Sequence, residues 1–254
     1  MMGLIASEVR KLTSTVTTWV MTAIGLALVL LSSVLFLLLP EAGFGEFRGT
    51  DPEVAFYVDM VGGASVIVLI VALLSMTTEF RHGTIGRTLQ ITPGRSVVLV
   101  GKLVAATLYA VAFLVAGLAL VAILVGIRGL TAGSGLEVGS ATRSAAWYGL
   151  VGLVLTSWLG VALGALMRSQ VVALTVTLVW VFVVEGAFLT LAPSVGRWLP
   201  FNALNAVFTA DGGATPMGGA SPELLSPLLG LSVFVTYVVV AAVGAIVLMR
   251  TRDV

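Results

Sequence analysis

The apolar residues of this chain are gathered into long runs, and its charged residues lie in short islands between them. Six runs are long enough to cross a hydrocarbon core of about 30 Å, which takes roughly 20 residues of helix. They predict spans at about 17–39, 54–78, 97–126, 146–167, 171–191 and 227–249. The first run, from Thr17 to Leu39, is longer than the ~7–15 apolar residues of a signal sequence, so it is expected to be a span.

Residues 1–16 are apolar on one side only. Leu4, Ile5, Val9 and Leu12 share a helical face, with Ser7, Arg10 and Lys11 opposite. This predicts an interfacial helix along the membrane surface; a solvated tail is the plainer alternative. Glu8 interrupts the apolar stripe. The hydroxyl-rich stretch from Thr13 to Thr18 suits a bend from surface into membrane.

The island from Met76 to Arg95 reads as a short helix over 79–91, in which Ile85 and Leu89 share a face and Phe80 falls off it. Thr92-Pro93-Gly94 marks a stop and turn. Gly83 and Gly86 would each weaken such a helix by about 1 kcal/mol relative to Ala, which points to a tight approach or an irregular turn. Glu79, Arg81 and His82 offer charged hydrogen bonds, and Phe80 and Ile85 offer apolar anchors, for a soluble partner. The other reading is a solvated loop whose arginines only set orientation.

Residues 192–226 are too apolar for an ordinary loop, yet Pro193, Gly196 and Pro200 break them. They predict a re-entrant pair of short helices, with Trp198 at headgroup level, followed by a Gly/Pro tip over Asp211–Pro222. Irregular backbone at such depth requires protein cover. A loop resting on the headgroups is the alternative.

Composition sharpens the fold class. Of 254 residues, 59% are apolar and 10% charged, with a mean hydropathy of +1.13; soluble domains run near 45–50% and about 25%. An all-α membrane protein with one transmembrane domain over 1–254 is expected, without room for a soluble catalytic domain. With both termini cytoplasmic, nine of the 13 Lys and Arg fall on the inner side and four outside, as short loops favour. The lack of cysteine excludes disulfide and thiolate chemistry. His82 is the only histidine, so no His-based metal cluster is expected. The basic residues are too few and scattered for nucleic acid. Gly94…Gly101-Lys102-Leu103 fails as a phosphate loop, because its spacer is too long and Leu103 stands where Ser or Thr is needed.

Taken together, Ser7-Glu-Val-Arg-Lys-Leu12 with Trp19, Thr78-Glu-Phe-Arg-His-Gly-Thr-Ile85 with Thr92-Pro-Gly-Arg95, Arg168-Ser-Gln170 before a span carrying Glu185, and Gly196-Arg-Trp-Leu-Pro-Phe201 cover nearly the whole chain. In these segments the chain resembles the ABC-2 permeases, the membrane subunits of ATP-binding-cassette exporters. The resemblance implies six spans, an interfacial elbow helix carrying Glu8, Arg10 and Lys11, a cytoplasmic coupling helix at about 79–91 and a re-entrant helical hairpin before the last span. It implies ATPase coupling through Glu79, Phe80, Arg81, His82, Gly83, Thr84 and Ile85. The implied partners are an ABC ATPase subunit, which binds the ATP and Mg, a second permease subunit in a homo- or heterodimer, and membrane lipids. No cofactor is expected in this chain. The expected location is the cell membrane, in a bacterial cell, with alternating access driving export of a drug, lipid or peptide. The large outer domains of some relatives are missing.

Three further residues stand out. Glu185 lies about 21 Å along the fifth span at 1.5 Å per residue, where an ionisable group must face protein or water. It is either a partner for Arg197 or for re-entrant N–H groups, or a gate residue lining a cavity. Gly160 and Gly164 form a small-xxx-small pair for close helix packing, within the chain or at a dimer seam. The competing function is an ATP-independent secondary transporter or channel, against which stand a single deeply placed charge and no evident inverted repeat. No residue set for catalysis is evident.

Overall fold

Hydrocarbon offers the backbone no hydrogen-bond partner, so a spanning chain must satisfy its own peptide groups, and helices do this within one segment. The computed structural model describes residues 2–38, 50–91, 94–132, 137–209 and 224–251. These residues form helices and no strand. Helix α1 (Met2–Ser14) precedes α2 (Val16–Leu38), the first span. The second span is α3 (Asp51–Gly63) followed by α4 (Ser65–Arg81), and a short α5 (Thr84–Ile91) leads to α6 (Arg95–Ala132). Next come α7 (Ser140–Met167), then α8 (Gln170–Val179), a π-turn (Trp180–Val184) and α9 (Glu185–Leu191) in one line. Short α10 (Pro193–Gly196) and α11 (Pro200–Phe208) separate these from α12 (Pro227–Thr251). Six of these stretches are long and apolar enough to cross a membrane, at the six predicted places.

The boundaries differ in instructive ways. Helices α6 and α7 run past the predicted 97–126 and 146–167, because an apolar run marks the hydrocarbon crossing and not the helix end. The second span is jointed at Ala64 (φ −78°, ψ 10°), directly after Gly62-Gly63. The helix expected over 79–91 is divided. Glu79, Phe80 and Arg81 finish α4, and Gly83 turns the chain with φ +63° before α5 begins. That left-handed conformation is open to glycine at no steric cost. The stop at Thr92-Pro93 and the tip over Asp211–Pro222 lie outside the described residues.

Two spans form the centre. In the second and fourth spans, 67% and 56% of the most apolar window is buried, against 17% in the first, fifth and sixth. Side chains such as Leu31, Ile123, Phe182 and Val240 are exposed on the outer surface, as lipid solvent permits. Gly160 and Gly164 lie where α7 meets α4. A Cβ on Gly160 would stand 2.6 Å from the Leu69 carbonyl oxygen, and one on Gly164 2.8 Å from that of Leu73. The pair therefore seats α7 on the α4 backbone within the chain. Helix α11 is buried along most of its length and packs among α3, α7, α9 and α12. Its Phe208 ring covers Gly62 and Gly152, so α11 sits level with the joint in the second span.

Replacing Gly160 by Leu should therefore be severe, because backbone cannot rotate away. A loss of about 1–3 kcal/mol or more is expected for overpacking, read as a lowered melting temperature of the detergent-purified chain. Gly126→Ala, where nothing lies within 4 Å of the added carbon, should melt like the parent.

Candidate functional site: a buried ion quartet under the interfacial helix

A lysine ammonium carries three N–H donors and no acceptor, so burying one calls for three oxygens and a compensating charge. Lys102, on the third span, has a side chain only 1% exposed. Its Nζ donates to Glu8 Oε2 at 2.8 Å, Glu79 Oε1 at 2.8 Å and the Ser75 carbonyl at 3.1 Å. Lys11 completes the group, donating to Glu8 Oε1 at 2.5 Å and Glu79 Oε1 at 2.8 Å. Two carboxylates and two ammoniums leave the quartet formally neutral, the condition under which charge survives away from water.

The four members come from three helices, α1, α4 and α6. On α1, Glu8 and Lys11 are i, i+3 neighbours, and Leu4 covers Gly101 so that α1 lies against α6 beside Lys102. The bend after α1 is tied by the Trp19 indole donating to the Thr13 carbonyl at 2.7 Å and by Thr15 Oγ1 donating to the Lys11 carbonyl at 2.7 Å. Glu79 sits one turn after Ser75 on α4, so both reach Lys102. The Glu8 that breaks the apolar stripe of α1 is thus its ionic anchor.

The quartet has one wet edge. Lys11 is 46% exposed, whereas Glu8 and Glu79 are 4% and 7% exposed. A cavity of about 520 Å³ opens beside it, walled by the hydroxyl-bearing start of α2, the end of α4 and the Arg81–Thr84 turn. Burial pushes the Glu8 carboxyl up, but the charge and hydrogen bonds of Lys102 and Lys11 outweigh it and hold Glu8 below its usual 4.5. Burial alone would lower Lys11; its bonds to Glu79 and Glu8 raise it above 10.5 instead.

The expected coupling residues divide into two groups. Arg81, His82, Gly83 and Thr84 are exposed at the tip, with Arg81 Nη1 donating to Gln170 Oε1 at 3.1 Å. Glu79, Phe80 and Ile85, expected at a partner's surface, are turned inward. Glu79 is committed to two lysines. Ile85 is 3% exposed and packs with Ala72, Met76 and Met249, and Phe80 lies half-buried against the same group. The physical reason is the break at Gly83, which folds α5 back so that Ile85 faces the bundle. Arg10, by contrast, is exposed on α1. The Arg168 guanidinium stands over the Phe80 ring, 5.4 Å from its centroid. Arg168 is the one non-glycine residue at positive φ (+56°) among the described residues, a conformation that costs about 1–2 kcal/mol.

On the far side of the bundle Glu185 is 1% exposed. Its Oε1 accepts from Trp180 Nε1 at 2.9 Å and the Phe201 amide at 3.0 Å, and its Oε2 accepts from the Asn202 amide at 2.6 Å. Asn202 Nδ2 donates back to the carbonyls of Glu185 and Gly196. A carboxylate thus receives the free N–H groups that open α11. Asp51 does the same for α7, accepting from the amides of Gly139, Ala141 and Thr142 at 2.7–2.9 Å. Both acids hold helix ends, and the Glu185 oxygens face backbone and indole donors in a closed setting.

Among the described residues no group of three or more His, Cys, Asp or Glu is placed to hold a metal ion. Sequence reasoning missed Lys102 and Ser75 as site residues. The available signal was Lys102 inside an apolar run together with Glu8 inside an apolar stripe, two opposite violations that explain each other. In comparisons with known proteins, no family model and no curated protein matches this chain.

Lys102→Met should destabilise the protein by about 3–5 kcal/mol, the usual effect of stranding a buried carboxylate, measured by thermal melting in detergent. Replacing the quartet together with apolar residues of similar volume should restore most of that stability. The pH profile follows from the two shifts. The Glu8 contribution is complete above pH 4.5 and is lost as pH falls through its lower folded value; that of Lys11 is complete below 10.5 and is lost as pH rises through its higher one. Melting temperature should therefore fall at both extremes, and Glu8→Gln should flatten the acid limb.

Proposed function

We propose that this chain is the membrane-spanning permease subunit of an ATP-driven exporter of the ABC-2 type, moved by a separate ATPase. The observation that carries the reading is the mechanical continuity of the surface turn Arg81–Thr84 with the bundle. The turn is exposed, and Glu79, two residues before it, is locked to Lys11 of α1 and Lys102 of α6. A partner pressing on the turn would displace α1, α4 and α6 as a unit. The exposed Arg81 and His82 are the contacts offered to that partner, and Phe80 and Ile85 stiffen the turn from inside. In this reading α1 is the elbow helix, α5 with the preceding turn is the coupling element, and α10 and α11 form the re-entrant hairpin on the outer side. Both termini are then cytoplasmic, and the ATP and Mg belong to the partner. Export proceeds by alternating access, with the two states within a few kcal/mol so that nucleotide can choose between them.

The buried quartet bears on the competing reading. It adds intramembrane charge that an ion-coupled transporter would use, but its members are paired with one another and tie helices together, which favours a structural linkage over an ion path.

A neighbouring reading frame encoding an ATP-binding-cassette ATPase is expected, and the full chain co-expressed with that ATPase should form a complex whose ATP turnover depends on the turn. Arg81→Glu with His82→Glu should lower turnover by about tenfold, equivalent to about 1.4 kcal/mol, with the melting temperature of the isolated chain unchanged. Turnover indifferent to both changes, or cargo carried by the purified chain alone, would overturn the assignment.

A further inference from the structure

The quartet fastens the end of α4 to α1 and α6, and leaves open how α7, α8 and α12 are held to it. Three consecutive residues at that end go separate ways. Glu79 turns to the lysines of α1 and α6. Phe80 and Arg81 turn instead to the junction between α7 and α8. There the Arg168 guanidinium stands 5.4 Å from the Phe80 centroid, and Gln170 Oε1 accepts from Arg81 Nη1 at 3.1 Å. Arg168 Nη2 also donates a long hydrogen bond, 3.5 Å, to the Leu248 carbonyl of α12. One side chain thus bridges the ends of the second, fourth and sixth spans.

The backbone at this residue is unusual for its role. Arg168 caps α7 in the left-handed region (φ +56°), with its amide donating to the Gly164 carbonyl. Helices commonly end on glycine in this conformation, which glycine adopts at no steric cost. The cap needs no side chain, yet this one carries a guanidinium against the backbone strain. Strain of this kind persists where surrounding contacts hold it, and it gathers at switch regions. A guanidinium can stand over an aromatic face and donate hydrogen bonds at the same time. Beneath it Phe80 packs with Val161, Ile85 and Met249. Those apolar contacts have no preferred direction, whereas the cation between ring and carbonyl supplies one.

We propose that Arg168 is a positioning residue that makes α7, α8 and α12 follow the Arg81–Thr84 turn, as the quartet does for α1 and α6. The source of the movement rests on the permease reading; the tie itself does not.

The chain has no cysteine, so a cysteine pair at the exposed Thr13 of α1 and Thr251 of α12 takes spin labels without background. Labelled chain diluted into unlabelled chain reports distances within one chain only. In detergent the parent should give a single narrow distribution, and Arg168→Gly a broader one. Phe80→Leu, which keeps an apolar side chain in place, should broaden it too, and the double variant should add nothing further. In the complex with the ATPase, a non-hydrolysable ATP analogue should leave the distance unchanged in the parent and shift it in Arg168→Gly. The melting temperature of Arg168→Gly should not fall, because glycine relieves the left-handed backbone. A distribution that stays narrow in Arg168→Gly, additive broadening in the double variant, or a parent distance that shifts with nucleotide would each overturn the proposal. So would broadening accompanied by a lower melting temperature, which would make Arg168 a stabilising residue only. A parent chain that binds no ATPase would overturn the permease reading alone, and the distributions in detergent would still decide the tie.

Discussion

Lys102 has three donors to satisfy on a side chain that is almost wholly buried, and it finds its three acceptors on two other helices. Much of the near-side architecture follows from that requirement. Glu8 must be carried to it, so a surface helix is drawn against α6; Glu79 must be carried to it, so the end of α4 is held at the same height. Lys11 then balances the second carboxylate. Because leaving any one of these ions alone is far costlier than pairing them, the group behaves as a single fastening and not as four separate contacts. Its worth lies less in net stability than in forbidding α1, α4 and α6 to move independently.

The same constraint governs the far side in another form. There the exposed deficit is a set of helix N-terminal amides, and the answer is acidic. Asp51 closes the start of α7 and Glu185 closes the start of α11. A short helix such as α11 can lie inside the bundle only if the amides at its start are satisfied, which is why a glutamate is tolerated in an otherwise apolar fifth span. With Trp180 donating to the same carboxylate, the π-turn of that span is tied to α11 as well.

The six spans were legible because hydrocarbon length is written directly into run length, and α1 because its apolar face is one-sided. The close pair Gly160 and Gly164 was legible as a packing device, though not which helix it would meet. Glu185 could be placed at depth, and backbone N–H groups were among its foreseen partners. The inward turn of Phe80 and Ile85 was not legible. A helix drawn through Gly83 puts these residues on a surface, whereas Phe80 packs inward as the end of α4 and the left-handed φ at Gly83 turns Ile85 inward after it. Lys102 was hidden for a related reason. Counted by side, a lysine near a span end is merely topological, and its role emerges only when α1, α4 and α6 are brought together. Neither local periodicity nor composition contains that meeting.

A rigid near side raises the question of where the bundle can yield. Two irregularities lie at mid-depth, the joint at Ala64 in the second span and the π-turn at Trp180–Val184 in the fifth. Both are held by α11, which places Phe208 over Gly62 and its first amides on Glu185. The near half of the second span is bolted by the quartet and the far half by Asp51 at α7, so the relief between them falls at the joint, where helix hydrogen bonding is already interrupted. In the fifth span the wider π-turn serves the same purpose. In the proposed function, a displacement entering at the Arg81–Thr84 turn would therefore be carried undivided to the middle of the span and divided there. The helix α11 touches both joints, so the two spans cannot bend without repacking it.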